Sequence, residues 1–347
     1  MSIWKCPRLR NYFILFLLLL MPCCLFIILV IYKGPPLKMS NSTNGEDDII
    51  LVTAPVRHRK DNHGSNYRWK DVSNCIVNHK GQLFELLDSI ITACVKQFLN
   101  VRSTDFLQLD MGRFHEKKFF LPFTEESLVE KPDCRFLTIG IGGTSYAEAQ
   151  FSHIYPKCKI YGIEPSTDQY ANFRRYGTVI PHAVGATDEV ATLSFLKNGT
   201  YVIVKSKVHA IHKVLDKYVG SRFIHFTTMD IEGFEYRILD QMEEGRYIHN
   251  QSVTFCQLDV ELHDNVMQKL NSLKNFNQYF RSFLMHSSYV PIVSTRFLTH
   301  QKVTLINSQN QECEALFNFE QLLKPFAEKT YLIVKAIERN STISLRS

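Results

Sequence analysis

The chain has 347 residues, of which 45% are apolar and 21% charged, an ordinary globular balance with ample material for a buried core. Its formal net charge of +6 is spread along the chain, with no Lys/Arg block or aromatic-interleaved basic stripe beyond the N-terminal flank, which argues against nucleic acid as a partner. The length exceeds an average domain, and the simplest organisation is one decorated α/β unit behind an N-terminal anchor.

The first element is Tyr12–Tyr32, an uncharged run rich in Leu, Ile and Phe, long enough as a helix to span about 30 Å of hydrocarbon. Pro22 only kinks such a helix. A signal peptide fits less well, because its apolar region is normally about 7–15 residues with a small-x-small cleavage site after it, and Ile31-Tyr32-Lys33-Gly34-Pro35-Pro36 offers none. Lys5, Arg8 and Arg10 precede the run, whereas Lys33 and Lys38 after it are answered by Glu46, Asp47 and Asp48. The positive-inside tendency therefore makes residues 1–11 a cytosolic tail and residues 12–32 a signal anchor. The expectation is a single-pass type II membrane protein of the ER or Golgi, with the bulk of the chain in the lumen. Two features agree with this topology: Asn-x-Ser/Thr sequons at Asn41, Asn198, Asn250 and Asn340, and the cysteines left once Cys6, Cys23 and Cys24 fall in the anchor region, Cys75, Cys94, Cys134, Cys158, Cys256 and Cys313, an even set suited to three disulfides. Buried free thiols in a reducing compartment are the alternative. No CxxC or His/Cys spacing suggests zinc.

Residues 33–73 mix Pro, Ser, Asn, Gly and charge around one short apolar patch, Ile49–Val52, and read as a stem. Residues 74–133 read as a helical extension, because Leu83, Leu86, Leu87, Ile90, Ile91, Cys94, Val95 and Phe98 recur at helical spacing. From residue 134 to 337 short apolar runs alternate with helical patterns. Strands are predicted at Phe136–Ile141, Lys159–Glu164, Thr178–His182, Ile224–Ile231 and Val253–Glu261. Helices are predicted at Ser145–Tyr155, Thr167–Arg175, Val208–Val219 and Phe234–Glu243. Ala191–Leu196 and Tyr201–Lys205 flank Asn198-Gly199, a hairpin-turn pair. Phe283–Met285, Val303–Ile306 and Tyr331–Ala336 are candidates for further strands, and residues 338–347 form a tail. Strand-helix-strand units of this length imply a doubly wound α/β fold with a mostly parallel sheet.

In such a sheet ligands bind beyond the carboxyl ends of the strands, so residues ending strands are the site candidates. The first strand ends in Gly140-Ile141-Gly142-Gly143-Thr144, where missing side chains let backbone approach a ligand. The loop lacks the lysine of a phosphate-cradling GxxxxGK[ST] motif and the third glycine of GxGxxG, so a plain tight turn also accounts for it. The second strand ends in Glu164, an acid placed to accept hydrogen bonds from both hydroxyls of an adenosine ribose. A third cluster gathers Asp230, Glu232 and Glu235 around one strand-to-helix turn, where helix capping is the plainer role for Glu232 and Glu235. A fourth puts Asp259, Glu261 and His263 on one face of a strand, able to hold a divalent metal or supply an acid and a base, or to form a polar edge in solvent.

In order and spacing these clusters resemble the FkbM-type methyltransferase family, in the wording of its divergent nematode branch. The resemblance rests on Tyr161–Thr167 (YGIEPST), His182–Phe195 (HAVGATDEVATLSF), Met229–Leu239 (MDIEGFEYRIL) and Cys256–His263 (CQLDVELH). It implies a Rossmann-like fold and transfer of a methyl group from S-adenosylmethionine to a hydroxyl acceptor, a small molecule or a luminal glycan. Carried over, Gly140 and Gly142 frame the cofactor's methionine part, Glu164 holds its ribose and Asp230 stands near the sulfonium. Glu232 orders the turn or meets substrate. Glu261 and His263 line the acceptor side, His263 as the base near neutral pH. The chain departs from the family at Thr138, where an acid is common, and at Thr228, where a lysine is. These departures leave open a catalytically silent binding or scaffold protein on the same fold. A dinucleotide-dependent oxidoreductase is disfavoured by the missing third glycine.

Overall fold

Seven apolar runs pair into one sheet. A computed structural model describes residues 66–79, 83–130, 133–197, 200–264 and 276–324, all within one compact unit. The anchor run Tyr12–Tyr32, the sequons at Asn41 and Asn340, the turn pair Asn198-Gly199 and the strand candidate Tyr331–Ala336 lie outside the described residues. Among those residues no helix is long and apolar enough to cross a membrane.

The central strands are β3 (Arg135–Ile139), β4 (Lys159–Ile163), β5 (Thr178–Ile180), β9 (Phe223–Met229) and β10 (Thr254–Leu262), all mutually parallel. Beyond β10 the chain adds β12 (His300–Asn307), antiparallel to it, and β11 (Tyr289–Phe297) on the edge. The order is β11-β12-β10-β9-β3-β4-β5. The strands carry near-continuous apolar runs because both faces are covered, and every residue of β10 after Thr254 is buried. On one side Phe136 and Phe226 pack with Phe120, Phe123, Phe151 and Phe317 in a cluster of ring contacts, centroids 4.3–6.5 Å apart.

The N-terminal extension differs from the expectation of an all-helical segment. Helix α1 (Asn66–Val77) starts inside the stretch read as stem, and buries Trp69, Val72, Ser73 and Ile76 at helical spacing. Helix α2 (Leu83–Phe98) follows as predicted. The polar stretch after it folds into a hairpin, β1 (Leu107–Asp110) with β2 (Lys117–Phe120), laid against β10. The Gln257 side-chain amide exchanges hydrogen bonds with the backbone of Leu121, and the Phe119 N–H donates to Asp259 Oδ2 (3.1 Å). A short helix, α3 (Glu125–Glu130), leads to β3, and α4 (Tyr146–Ile154) crosses from β3 to β4.

Three further segments depart from expectation. Thr167–Arg175 forms two 3-10 turns, Thr167–Gln169 and Phe173–Arg175, because Ala171 between them is left-handed at φ +45°. Val208–Val219 is still strand through Ala210, since Val208 and Ala210 pair with β6 (Ala183–Gly185); the helical part is α5 (Ile211–Val214) and a π-turn ending at Gly220. Phe283–Met285 belongs to a helix, here α8 (Phe276–His286), which buries Phe276, Tyr279, Phe280, Phe283 and Leu284 on one face. The predicted hairpin is present as β7 (Glu189–Lys197) and β8 (Thr200–Ala210), forming a separate three-stranded sheet with β6. Helices α6 (Glu235–Asp240) and α7 (Tyr247–Asn250) separate β9 from β10, and α9 (Gln311–Phe317) follows β12.

The six cysteines among the described residues pair as Cys75–Cys94, Cys134–Cys158 and Cys256–Cys313, with Cα atoms 5.8, 4.5 and 5.2 Å apart. Each is within the span a disulfide bridges. They tie α1 to α2, the start of β3 to the start of β4, and β10 to α9.

Candidate active site

The chain leaves β3 outward through β4 and β5, then returns to the other flank of β3 as β9. At this reversal the strand ends splay, and the crevice beyond them is the natural ligand site of an open α/β sheet. A cleft opens there, bordered by Gly140, Gly142, Glu164, Asp230 and Glu232, with the β7–β8 arm contributing Leu193–Leu196 and Tyr201.

Gly140 adopts φ +89°, and its N–H donates to Ile163 O (2.9 Å). A Cβ at this position would lie 1.9 Å from the Asp230 carbonyl oxygen, so only glycine lets the ends of β3 and β9 approach. Gly142, at φ +65°, is different: a Cβ there would meet only Arg113 Nη2, at 3.7 Å. Its bare backbone faces the cleft. Glu164, buried at the end of β4, accepts from the Ser166 N–H (2.9 Å) and more weakly from the Gly142 N–H (3.5 Å). Burial pushes its carboxyl up, and those N–H groups only partly offset the rise. A fixed carboxylate beside a glycine-edged cradle and an apolar wall suits a nucleoside with vicinal hydroxyls.

Across the cleft the acids at the end of β9 divide their roles. Glu235, fully buried, orders the turn: its Oε2 accepts from the Gly233 N–H (2.8 Å) and its Oε1 from the His263 N–H (3.1 Å) and His263 Nδ1 (2.7 Å). Glu232, in a left-handed conformation at φ +54°, points into the cleft and accepts from the Tyr201 hydroxyl (2.6 Å). Asp230 lies beside it, and His263 Nε2 sits 3.6 Å from both Asp230 Oδ1 and Glu232 Oε2. Burial works against an ionised Asp230, but Lys118 and His263 outweigh it and hold the carboxyl low. Burial pushes Glu232 up.

His263 corrects one expectation. Burial pulls its pKa down, but the Glu235 hydrogen bond and the charges of Glu235, Asp230 and Glu232 win, raising it to about 10. These charges favour the protonated ring and oppose its use as a neutral base, the role expected from sequence. Glu261 is also placed differently. With Asp259 it faces the β2 hairpin and β12 rather than solvent: Asp259 accepts from Thr304 Oγ1 (3.0 Å), and Glu261 Oε2 lies 3.8 Å from Lys302 Nζ. Burial, then the Asp230 charge, push Glu261 up to about 7 against the pull of Lys118 and Lys302. Neither Glu261 nor His263 is among the residues bordering the cleft; His263 stands behind Asp230 and Glu232. Lys302 in turn bonds Glu116 (2.5 Å), closing a buried ionic network with Lys118.

Thr138 and Thr228 do not border the cleft. The Thr138 hydroxyl donates to Glu148 Oε1 (2.6 Å), so α4 brings a buried carboxylate to that point of β3. Two residues that sequence reading missed complete the site. Arg113, from the β1–β2 loop, donates to Gly142 O (3.1 Å) and pairs with Glu116 (3.5 Å), while Tyr201 reaches Glu232 from the arm. The Asn198-Gly199 pair in the sequence signalled the arm, but nothing local signalled its approach to Glu232 beyond β9.

Solved structures resembling the chain include a Methanococcus jannaschii fibrillarin pre-rRNA processing protein (12% identity, 60% of this chain and 86% of that one, TM-score 0.31). Others are a putative caffeoyl-CoA O-methyltransferase from Staphylococcus aureus (10%, 50% and 76%, 0.27) and M. capricolum TrmK with S-adenosyl-homocysteine (10%, 63% and 84%, 0.25). No curated protein sequence matches the chain. The family model of the methyltransferase FkbM domain matches residues 100–283, more than half of the chain and every residue bordering the cleft, so the protein belongs to the FkbM methyltransferase family, whose cofactor is S-adenosylmethionine.

Proposed function

We propose that the protein is a membrane-anchored O-methyltransferase acting on a hydroxyl acceptor, a glycan in the lumen of the ER or Golgi. The observation that carries this reading is one cleft with two chemically different sides: the Gly140–Gly142 backbone and Glu164 on one, the carboxylates of Asp230 and Glu232 on the other. S-adenosylmethionine, when bound, supplies an electrophilic methyl group. Glu164 would accept the two ribose hydroxyls, and Gly142 would leave its backbone free for the methionine part. Asp230 and Glu232 would orient the acceptor by accepting its hydroxyl hydrogen bond, and the hydroxyl proton leaves toward this acidic edge. Tyr201 and the β7–β8 arm shield the site from water. Catalysis of this kind depends chiefly on positioning. The three disulfides support an oxidising compartment, and the uncharged run Tyr12–Tyr32 supports the anchor.

The test is calorimetric titration of the detergent-solubilised full chain with S-adenosylmethionine, wild type against Glu164→Ala, followed by methyl transfer from labelled cofactor to extracted glycans. Losing two hydrogen bonds to a charged acceptor is expected to weaken binding roughly 100-fold. Equal binding by both proteins would refute the placement of the ribose. Binding without methyl transfer to any hydroxyl-bearing pool would refute the reaction.

A further inference from the structure

We propose that Asp230, Glu232 and His263 form a binding site for one divalent cation of the manganese or zinc type, on the acceptor side of the cleft. The site is assembled from two strand ends. Asp230 and Glu232 follow β9, and His263 follows β10. One ligand atom from each of the three residues lies within 4.8 Å of the other two. His263 Nε2 is 3.6 Å from each carboxylate oxygen. That is too long for a hydrogen bond to either, yet it is the spacing of atoms sharing one ion: ligands at about 2.1 Å that subtend 90–120° lie roughly 3.0–3.6 Å apart.

A second observation comes from the other side of the ring. His263 is 7% exposed, and its Nδ1 is bonded to the fully buried Glu235 at 2.7 Å. A carboxylate behind a histidine fixes the ring and commits the opposite nitrogen to a ligand, the outer-shell arrangement of metal-binding histidines. Asp230 and Glu232 are 22% and 33% exposed, so three protein ligands would leave coordination positions open toward the cleft. The imidazole nitrogen favours a first-row transition ion or zinc over magnesium.

One competing set shares the same histidine: Glu261, His263 and His300. There Lys302 Nζ stands 3.8 Å from Glu261 Oε2, and its ammonium opposes a cation. The geometry favours the first set. The use of the ion rests on the methyltransferase reading: it would hold the acceptor's oxygen and lower the pKa of its hydroxyl. Binding of the ion does not rest on that reading.

The experiment is a titration of the solubilised full chain with Mn2+ alone, followed by electron paramagnetic resonance. One bound ion per chain is expected, with nitrogen modulation of its spin echo from the imidazole. Glu232→Gln and Asp230→Asn should each weaken binding roughly 10- to 100-fold, and His300→Ala should leave it unchanged. Glu232 is partly exposed, so E232Q should fold; an unchanged thermal transition without Mn2+ checks this. No bound ion at millimolar Mn2+, no nitrogen modulation, or binding equal in folded E232Q and wild type would overturn the site. Loss of binding in H300A with retention in E232Q would also overturn it, by assigning the ion to the second set. S-adenosylmethionine titration without metal reports on the methyltransferase reading separately, so either idea can fail alone.

Discussion

Gly140→Ala tests the packing that builds the cleft. The residue is held at φ +89°, where a Cβ costs about 1–2 kcal/mol. That Cβ would also lie 1.9 Å from the Asp230 carbonyl oxygen. The obstacle is backbone at the end of a central strand, which cannot rotate aside as a side-chain tip does, and forced displacement in a packed core costs about 1–3 kcal/mol more. The combined loss of about 2–5 kcal/mol corresponds to a fall in unfolding temperature of roughly 4–20 °C for a domain of this size. Gly142→Ala is the control. Its φ of +65° carries the same strain, but its Cβ would meet nothing closer than Arg113 Nη2 at 3.7 Å, so the loss should stay near about 1–2 kcal/mol. Scanning calorimetry without reductant measures both. Gly140→Ala as stable as wild type, or no less stable than Gly142→Ala, would refute the argument that glycine at position 140 sets the distance between β3 and β9.

Three further outcomes are expected. Burial pushes the Glu148 carboxyl up despite the Thr138 hydrogen bond, so its contribution to stability is complete below the unfolded value near about pH 4.3 and is lost as pH rises through the higher folded value; urea titrations from about pH 4 to 8 should show this decline flattened in Glu148→Gln. Replacing Cys134 and Cys158 together with Ala removes a cross-link spanning 24 residues and should cost about 3 kcal/mol by denaturant titration, while unreduced peptide maps of the native protein should recover all three pairs. Asn250 is exposed at the end of α7, so enzymatic removal of Asn-linked glycans should lower the mass of the membrane-bound protein, and Asn250→Gln should shrink that change; an unchanged mass would place this domain in the cytosol.

The strands were the legible part of the fold. Central strands buried on both faces must be apolar throughout, so β3, β4, β9 and β10 announce themselves without knowledge of their neighbours. Failures came where a short-range signal competed with a longer one. Phe283–Met285 is apolar over a short window, yet Phe276, Tyr279, Phe280 and Phe283 carry the helical spacing that decides its structure. Ala171 interrupts a helical pattern by taking a left-handed φ, which no propensity assigns to alanine. Helix α1 was hidden by polar residues because its buried stripe is narrow, Trp69, Val72, Ser73 and Ile76.

In the candidate site the positions of Gly140, Gly142 and Glu164 beside the cleft were readable, because each stands just past the end of the strand that carries it. The acids on β10 were not, and the reason is charge context rather than position. Alternation along a strand states which residues share a face, but strand order and the elements laid over that face decide what the face meets. Asp259 and Glu261 alternate with His263, yet the β1–β2 hairpin and β12 bring Lys118 and Lys302 against the first two, while only His263 passes the strand end to reach Asp230 and Glu232. These partners lie far off in the chain: Phe119 and Asp259 are 140 residues apart, Lys302 and Glu116 186. The same carboxylate type is therefore an ionic anchor at position 259 and a cleft-facing group at position 230. An acid on a buried strand face calls for a lysine from another element, because an unpaired charge there costs too much to keep. An acid just past the strand end borders a cleft instead, as Asp230 and Glu232 do beside His263.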